Sequence, residues 1–143
     1  MTNFKSLISI PGLLKMLQIG LGIGCIALLR VYNLAFGPDI DRTLVGHVAL
    51  GSTVLISLPL LVGYILEHGS SGLEGMYLSI VGSLNFAAGS LAIEVYHDQS
   101  TDYDSVKAGL GMGALMILNG LVYFIDCMCR CRSRHAYDPV TRH

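Results

Sequence analysis

The pattern of hydrophobic and polar positions divides the chain into four long apolar runs separated by short polar connections. The runs are Leu13 to Ala35, Leu44 to Leu66, Glu74 to Tyr96 and Val106 to Met128. Each has the ~20 mostly apolar residues that a helix needs to cross a hydrocarbon core about 30 Å thick. The runs lack the polar residue at every third or fourth position that a soluble helix shows, and they exceed ordinary strand length. The pattern therefore predicts four transmembrane helices.

The amino-acid composition also indicates a membrane protein, and it does not indicate a second domain. Only 13% of the 143 residues are charged, whereas about a quarter are charged in a typical soluble domain. The chain also has 17 glycines, a residue that is common in transmembrane helices because it lets backbones approach closely. The connections are too short to fold separately. We expect an all-α integral membrane protein in which residues 1–143 form a single four-helix transmembrane bundle.

The distribution of basic residues predicts the orientation of the bundle, because Lys and Arg in short flanking segments favour the cytosolic side. Lys5 and Lys15 lie near the start of the chain, whereas the first and third connections carry five aspartates against Arg42 and Lys107. Four arginines follow the last apolar run: Arg130, Arg132, Arg134 and Arg142. Both termini should be cytosolic, with residues 129–143 as a short basic tail. Lys15 interrupts the first run, so we expect this run to be kept as an anchor rather than cleaved as a signal peptide.

Three cysteines follow the last apolar run at every second position, Cys127, Cys129 and Cys131. Disulfides are rare in the cytosol, and a zinc site usually shows paired ligands at wider spacing. Juxtamembrane cysteines beside arginines are typical of reversible S-palmitoylation at an anionic leaflet. The spacing therefore predicts lipidation, with unmodified thiols as the alternative. Cys25 lies inside the first run and is expected to be a small packing residue.

Ionisable residues inside the spans are costly and usually find partners. Arg30 and Glu94 lie near the outer ends of the first and third spans. Their matching depth predicts a salt bridge, and the alternative is that each side chain extends separately toward the headgroups. Lys15 and Asp126 match in depth on the cytosolic side. They form a second predicted pair.

Two amides lie near the middle of the membrane, Asn85 in the third span and Asn119 in the fourth. An unsatisfied amide in hydrocarbon costs several kcal/mol, so we expect each to be hydrogen-bonded. They meet each other or bond to serines of the third span, namely Ser79, Ser83 or Ser90. His47 lies one turn into the second span and is expected to be a neutral, hydrogen-bonded residue, with a pH-responsive group as the alternative.

Small residues recur at four-residue spacing, which places each set on one helix face and permits close helix contact. The sets are Gly20 and Gly24, then Ser79, Ser83 and Ala87, then Gly109 and Gly113. These faces either close the bundle on itself or recruit neighbouring proteins. The sequence leaves both uses open.

The sequence predicts no enzyme, no cofactor and no nucleic-acid partner. We find no nucleophile-and-base set, metal-spaced ligands, phosphate-binding loop or paired catalytic carboxylates. The G-x-G-x-G patterns at Gly20 and Gly109 lie inside apolar runs, whereas a dinucleotide site places them between a strand and a helix. A transport pathway normally needs several charged groups at mid-depth or interrupted helices. A self-sufficient pore or carrier is therefore the weakest of the functions considered.

Three segments carry a family resemblance: KMLQIGLGIGCIALLR (Lys15 to Arg30), VGSLNFAAG (Val81 to Gly89) and VKAGLGMGALMILNGLVYFID (Val106 to Asp126). The chain resembles MARVEL-like four-span proteins and, more closely, the snakeskin family of insect smooth septate junctions. The resemblance implies a non-enzymatic plasma-membrane protein at cell–cell junctions. Such a protein would help to build an epithelial barrier by lateral association with other integral membrane proteins.

Both the resemblance and the loop lengths favour partners within the membrane. Outer connections of about ten residues reach at most ~35 Å when extended, which is short for adhesion between cells. Membrane lipids and integral membrane proteins are the expected partners, and a homo-oligomer is open. The alternative function is an accessory subunit of a channel or transporter complex.

Overall fold

The computed structural model describes residues 10–65, 71–98 and 103–136. These residues form four helices: α1 (Ile10–Val31), α2 (Ile40–Ile65), α3 (Ser71–His97) and α4 (Asp104–Ala136). No strand occurs in the described ranges. All four helices are long and apolar enough to cross a membrane. The prediction of an all-helical chain with four such helices is confirmed, and it is typical of a multi-pass membrane protein.

The helices form a four-membered ring in which each packs against the helices before and after it, and α4 packs against α1. Among the described residues, no Cα atoms of diagonally opposite helices come within 8 Å of each other. We call the end of the bundle where α1 begins and α4 ends the terminal end. The opposite end, where α1 joins α2 and α3 joins α4, is the loop end.

Glycines bring α3 and α4 into the closest contact of the bundle. A Cβ atom at Gly89 would lie 2.7 Å from the carbonyl oxygen of Gly113, and one at Gly113 would lie 2.9 Å from the carbonyl oxygen of Gly89. A Cβ at Gly120 would similarly lie 2.9 Å from the oxygen of Gly82. No side chain fits at these distances, so the two backbones touch because these positions are glycine.

The segment between α1 and α2 folds inward and covers the loop end. Phe36 is fully buried and lies where a side chain at Gly46 would be. The hydroxyl of Tyr96, from the last turn of α3, accepts a hydrogen bond from the Ala35 N–H (2.9 Å) and donates one to the Ala35 carbonyl (3.0 Å). Gly37 closes the turn with φ of 135°, a conformation that glycine adopts without steric cost.

Helix α4 is longer than the predicted span. It has 33 residues, about 50 Å at 1.5 Å per residue, against a hydrocarbon core of ~30 Å. The helix continues past the end of the predicted span at Met128 to Ala136, through the first part of the predicted tail. The remainder of that tail, residues 137–143, lies outside the described residues.

Candidate functional site

Each helix turns one narrow stripe of residues toward the centre of the bundle, and the polar members of these stripes lie in the terminal half. On α4 the stripe contains Asn119, Tyr123 and Asp126, all fully buried, and then Arg130. Intervals of four, three and four residues keep these side chains on one helix face. The bundle therefore contains a buried column of polar groups that begins at mid-depth and ends at the terminal end.

Four charged side chains form a closed ring at the terminal end. The Nζ atom of Lys15 lies 2.7 Å from Oε1 of Glu74 and 3.2 Å from Oδ2 of Asp126. Arg130 contacts the same two carboxylates, Glu74 through Nη1 and Asp126 through Nε at 3.5 Å. Positive and negative groups alternate around this charge ring, so its formal charge is zero. Gln18 adds a hydrogen bond from Nε2 to Oδ2 of Asp126 at 3.2 Å.

The predicted pairing of Lys15 with Asp126 is confirmed, and the ring extends it. Both side chains are fully buried, whereas those of Glu74 and Arg130 are 6% and 16% exposed. Taking charges out of water costs several kcal/mol for each ion even after relaxation, and only close partners compensate. Removing one member would leave a buried charge without its counterion. The ring therefore specifies that α1, α3 and α4 meet at this end.

A layer of amides and hydroxyls lies next to the charge ring, nearer mid-depth. Asn119 donates through Nδ2 to Oδ1 of Asn85 (3.4 Å), and Asn85 donates to Oγ1 of Thr53 (2.8 Å). The Tyr123 hydroxyl is hydrogen-bonded to Oγ of Ser57 and lies 3.5 Å from the Thr53 carbonyl oxygen. Of the two arrangements expected for the amides, the structure shows the one in which Asn85 and Asn119 meet each other.

Polar side chains span both diagonals of the bundle, where the backbones do not touch. Lys15 and Glu74 join α1 to α3, and Tyr123 joins α4 to Ser57 of α2. Both bridges lie in the terminal half. There, hydrogen bonds and ion pairs connect the diagonal helices, beside a smaller buried apolar cluster that contains Leu78 and Val81.

The loop half has an apolar centre built from small and flexible side chains. Cys25, Ala49, Ala88, Met112 and Met116 are fully buried there. The Sγ atom of Cys25 lies 3.9 Å from the carbonyl oxygen of Met112. Its predicted role as a packing residue is confirmed.

The predicted pairing of Arg30 with Glu94 is wrong. Glu94 contacts Arg42 of α2 instead, with 3.1 Å between Oε1 and Nη1, and Arg30 is exposed. The two residues do lie near the same end of parallel helices, as expected. However, α1 and α3 occupy diagonal corners of the ring, so that outward side chains on them point away from each other. Equal depth alone did not make them neighbours.

The predicted small-residue faces separate into two groups. Gly113 packs against α3, and Gly109 lies against the ring of Tyr96. The others do not close the bundle. A Cβ atom at Gly20 or Gly24 would meet nothing within 4 Å, and three residues of α3 are exposed: Ser79, Ser83 and Ala87.

The three tail cysteines differ in their surroundings because they follow one another around a helix. Cys127 is half-buried, with Sγ 3.5 Å from the Gly75 carbonyl oxygen. Cys129 and Cys131 are exposed on the last turns of α4. Within residues 10–65, 71–98 and 103–136, no three His, Cys, Asp or Glu residues are placed to hold a metal ion.

His47 is exposed near the loop end. Its Nδ1 atom lies 2.7 Å from the Thr43 carbonyl oxygen. Its ring also meets that of Phe36 edge-on, with 6.0 Å between centroids. The expected hydrogen bond of this histidine is therefore present.

Sequence reasoning did not find several members of the polar column. In the sequence, Glu74 marks only a span boundary and Arg130 only the basic tail, and no pattern singles out three further members: Gln18, Thr53 and Ser57. A signal was present on α4, where Asn119, Tyr123, Asp126 and Arg130 fit one face at intervals of four, three and four. That periodicity, applied to polar instead of apolar residues, indicates the buried stripe.

Comparisons with known proteins identify no relative: no family model, curated protein or solved structure matches the chain. The class defined by the fold is thus a multi-pass bundle with a neutral ionic ring in its interior. The resemblance to the snakeskin family stays a prediction.

Proposed function

We propose that the protein is a non-enzymatic four-span organiser of the plasma membrane, with both termini in the cytosol, that associates laterally with other integral membrane proteins. The observation that carries the proposal is the separation of its small residues into two groups. One group, including Gly89 and Gly113, closes the bundle. The other group, formed by the predicted small-residue faces of α1 and α3, is turned outward, whereas α2 and α4 carry further open glycines at Gly51, Gly63 and Gly111.

Outward small residues favour protein contacts over lipid contacts. Lipid tails are as apolar as leucine, so helices gain little from burial alone and associate through close van der Waals packing. Gly20 and Gly24 on α1, like Ser83 and Ala87 on α3, allow another helix to approach closely. A helix face that contacts only lipid does not need small residues that let another helix approach closely.

The more specific proposal is a component of a smooth septate junction. It is supported by the resemblance in the segments Val81 to Gly89 and Val106 to Asp126. In the structure these segments contain the glycines and asparagines that join α3 to α4. The resemblance thus concerns residues that hold the bundle together. In this proposal, the outward faces determine which partner binds.

We also propose that the projecting end of α4 is S-acylated. Cys129 and Cys131 are exposed about 35 Å along α4 from Val106, beyond a hydrocarbon core of ~30 Å. This distance supports thiols at headgroup level beside Arg132, the location at which juxtamembrane cysteines are S-palmitoylated. Replacing the three cysteines by serine should abolish hydroxylamine-sensitive acyl labelling, and labelling that persists contradicts this site.

Crosslinking in native epithelial membranes, followed by mass spectrometry of the purified protein, tests lateral association. We expect several junctional membrane proteins to be recovered with the wild type and fewer with Gly24→Leu, which adds bulk to the outward face of α1. Ala114→Leu adds similar bulk to an exposed position of α4 outside both small-residue faces and is the matched control. Recovery of an isolated monomer contradicts the proposal, and one large partner in fixed stoichiometry indicates an accessory subunit instead.

A further inference from the structure

We propose that copies of this protein bind one another through unlike faces: the outward face of α1 in one copy packs on the outward face of α3 in the next, and Arg30 of the first pairs with Glu94 of the second. The inference rests on the proposed lateral association and names a second copy as the occupant of these faces. It follows from the register of small residues, from charge, and from the positions of the two helices in the ring.

The two faces match in spacing. On α1, Gly20, Gly24 and Ala27 lie ten, six and three residues before Arg30. On α3, the corresponding residues lie eleven, seven and four residues before Glu94, and they are Ser83, Ala87 and Ser90. The two patterns differ by one residue, about 1.5 Å along a helix axis. When Arg30 and Glu94 lie at the same depth, each small residue of the α1 face is opposite a small residue of the α3 face.

The two helices also have the same direction. Both α1 and α3 run from the terminal end to the loop end, and two copies in one membrane share their orientation. The α1 helix of one copy and the α3 helix of the next are therefore parallel. Small residues at four-residue spacing are the sequence pattern of closely packed helix pairs in membranes.

Arg30 and Glu94 carry opposite charges, and both side chains are exposed. Arg30 is exposed, and no hydrogen bond or ion pair joins it to another described residue. Glu94 is 62% exposed, and its pair with Arg42 engages Oε1 at the surface. Ionisable residues within membrane spans usually pair, and those near the helix ends either pair or extend to the headgroups. Within one copy the diagonal separation of α1 and α3 prevents pairing, whereas a neighbouring copy removes this obstacle.

The positions of α1 and α3 determine the form of the assembly. The two faces lie on diagonal corners of one bundle, so each copy engages one neighbour with α1 and another with α3. A contact between unlike faces repeats from copy to copy and gives a closed ring or an open row. A row of bundles in the membrane plane is the arrangement that a lateral organiser requires.

Cysteine crosslinking between two differently tagged, co-expressed copies tests the contact. One copy carries Gly24→Cys and the other Ala87→Cys, in membranes treated with a mild oxidant. We expect a mixed dimer at least fivefold more abundant than with Ala114→Cys in place of Ala87→Cys. Copies without introduced cysteines give the background. A yield no higher than the Ala114→Cys control overturns the proposal.

Charge reversal tests the ion pair. Arg30→Glu alone and Glu94→Arg alone should each lower the mixed dimer at least fivefold, since like charges then face each other. Combining both changes in every copy should restore the dimer, because the two exchanged charges are again opposite in sign across the contact. Arg42→Gln removes the intramolecular partner of Glu94 and should leave the dimer intact. A double variant as weak as the single variants overturns the pairing.

These outcomes separate self-association from the broader function. Crosslinking of Gly24→Cys to a different membrane protein, without a mixed dimer, overturns self-association and leaves the lateral organiser in place. Absence of any membrane partner, both here and in native epithelium, contradicts both proposals.

Discussion

The terminal half and the loop half of this bundle hold the same four helices together in different ways. In the terminal half, side chains such as Lys15 and Tyr123 reach across the diagonals and meet charged or hydroxyl partners. In the loop half, small and flexible apolar residues fill the centre, and the Gly89–Gly113 contact brings α3 against α4, as Gly82 and Gly120 also do beside Asn119. The first arrangement depends on which groups meet, and the second on how closely the backbones approach.

This difference has an energetic consequence for a protein in lipid. Burial of an apolar side chain gains little there, because the surrounding lipid is also apolar. An ion without its counterion is heavily penalised in either protein or lipid. Loss of a single charge in the terminal half should therefore lower the free energy of unfolding the most. The predictions below test this from the largest effect to the smallest.

Asp126→Ala should be the most destabilising of these changes. It leaves Lys15 and Arg130 with only Glu74, and breaking a buried ion pair in this way costs about 3–5 kcal/mol. The measurement is the free energy of unfolding in bicelles. Glu94→Ala breaks an exposed pair and should change stability by at most about 1 kcal/mol.

A double variant tests whether the ring acts as a unit. Lys15→Met combined with Asp126→Leu removes one charge of each sign and leaves the pair of Glu74 with Arg130. It should be more stable than Asp126→Ala alone. Additive losses would contradict a coupled ring.

Gly89→Ala tests the close contact of α3 with α4. The new methyl group would lie 2.7 Å from the Gly113 carbonyl oxygen, so the backbones must separate at a cost of about 1–3 kcal/mol. Gly111→Ala is the control, because its Cβ meets nothing within 4 Å. Equal effects of the two changes would show that this contact does not limit stability.

Tyr96→Phe tests the loop end through one hydroxyl. The change leaves the N–H and carbonyl of Ala35 without their side-chain partner, and we expect a loss of about 1 kcal/mol. Hydrogen exchange of the Ala35 amide should also become faster. An unchanged exchange rate would mean that other contacts hold this segment.

Tyr123→Phe should have the smallest effect, although its hydroxyl bridges a diagonal. Hydrogen bonds between membrane helices average only about 0.6 kcal/mol, because alternative partners remain available. Unfolding in bicelles measures the loss, with Tyr77→Phe at an exposed position as the control. A loss larger than that of Asp126→Ala would mean that the layer of amides and hydroxyls stabilises the bundle more than the charge ring does.

The apolar runs predicted the helices because their length and composition have few other solutions. Depth matching predicted the contact of Lys15 with Asp126 for the same kind of reason, since two opposite charges at one level of a small bundle attract. It failed for Arg30 and Glu94 because depth is one coordinate and the corner of the ring is another. Only the packing order of the helices supplies the second coordinate.

The small residues also show that spacing along a helix does not predict which neighbours it has. Their spacing placed Gly20 and Gly24 on one face of α1, and this holds in the structure. Whether that face points inward depends on which other residues of α1 are buried, and the buried stripe consists of Gly12, Lys15, Gln18, Gly22 and Cys25. Glycines thus lie on both faces of α1, whereas the polar residues Lys15 and Gln18, which hydropathy treats as interruptions, identify the inner face.

The charge ring also has a consequence for synthesis of the chain. Lys15 is made 111 residues before Asp126, which at about 5–20 residues per second is a delay of roughly 6–20 s. During that interval Glu74 is made first, so Lys15 gains one carboxylate partner with α3, and the charge ring lacks Asp126 and Arg130 until α4 follows. We therefore expect the ring to close only with the last helix, so that a chain truncated before α4 leaves Lys15 with Glu74 alone among its ring partners.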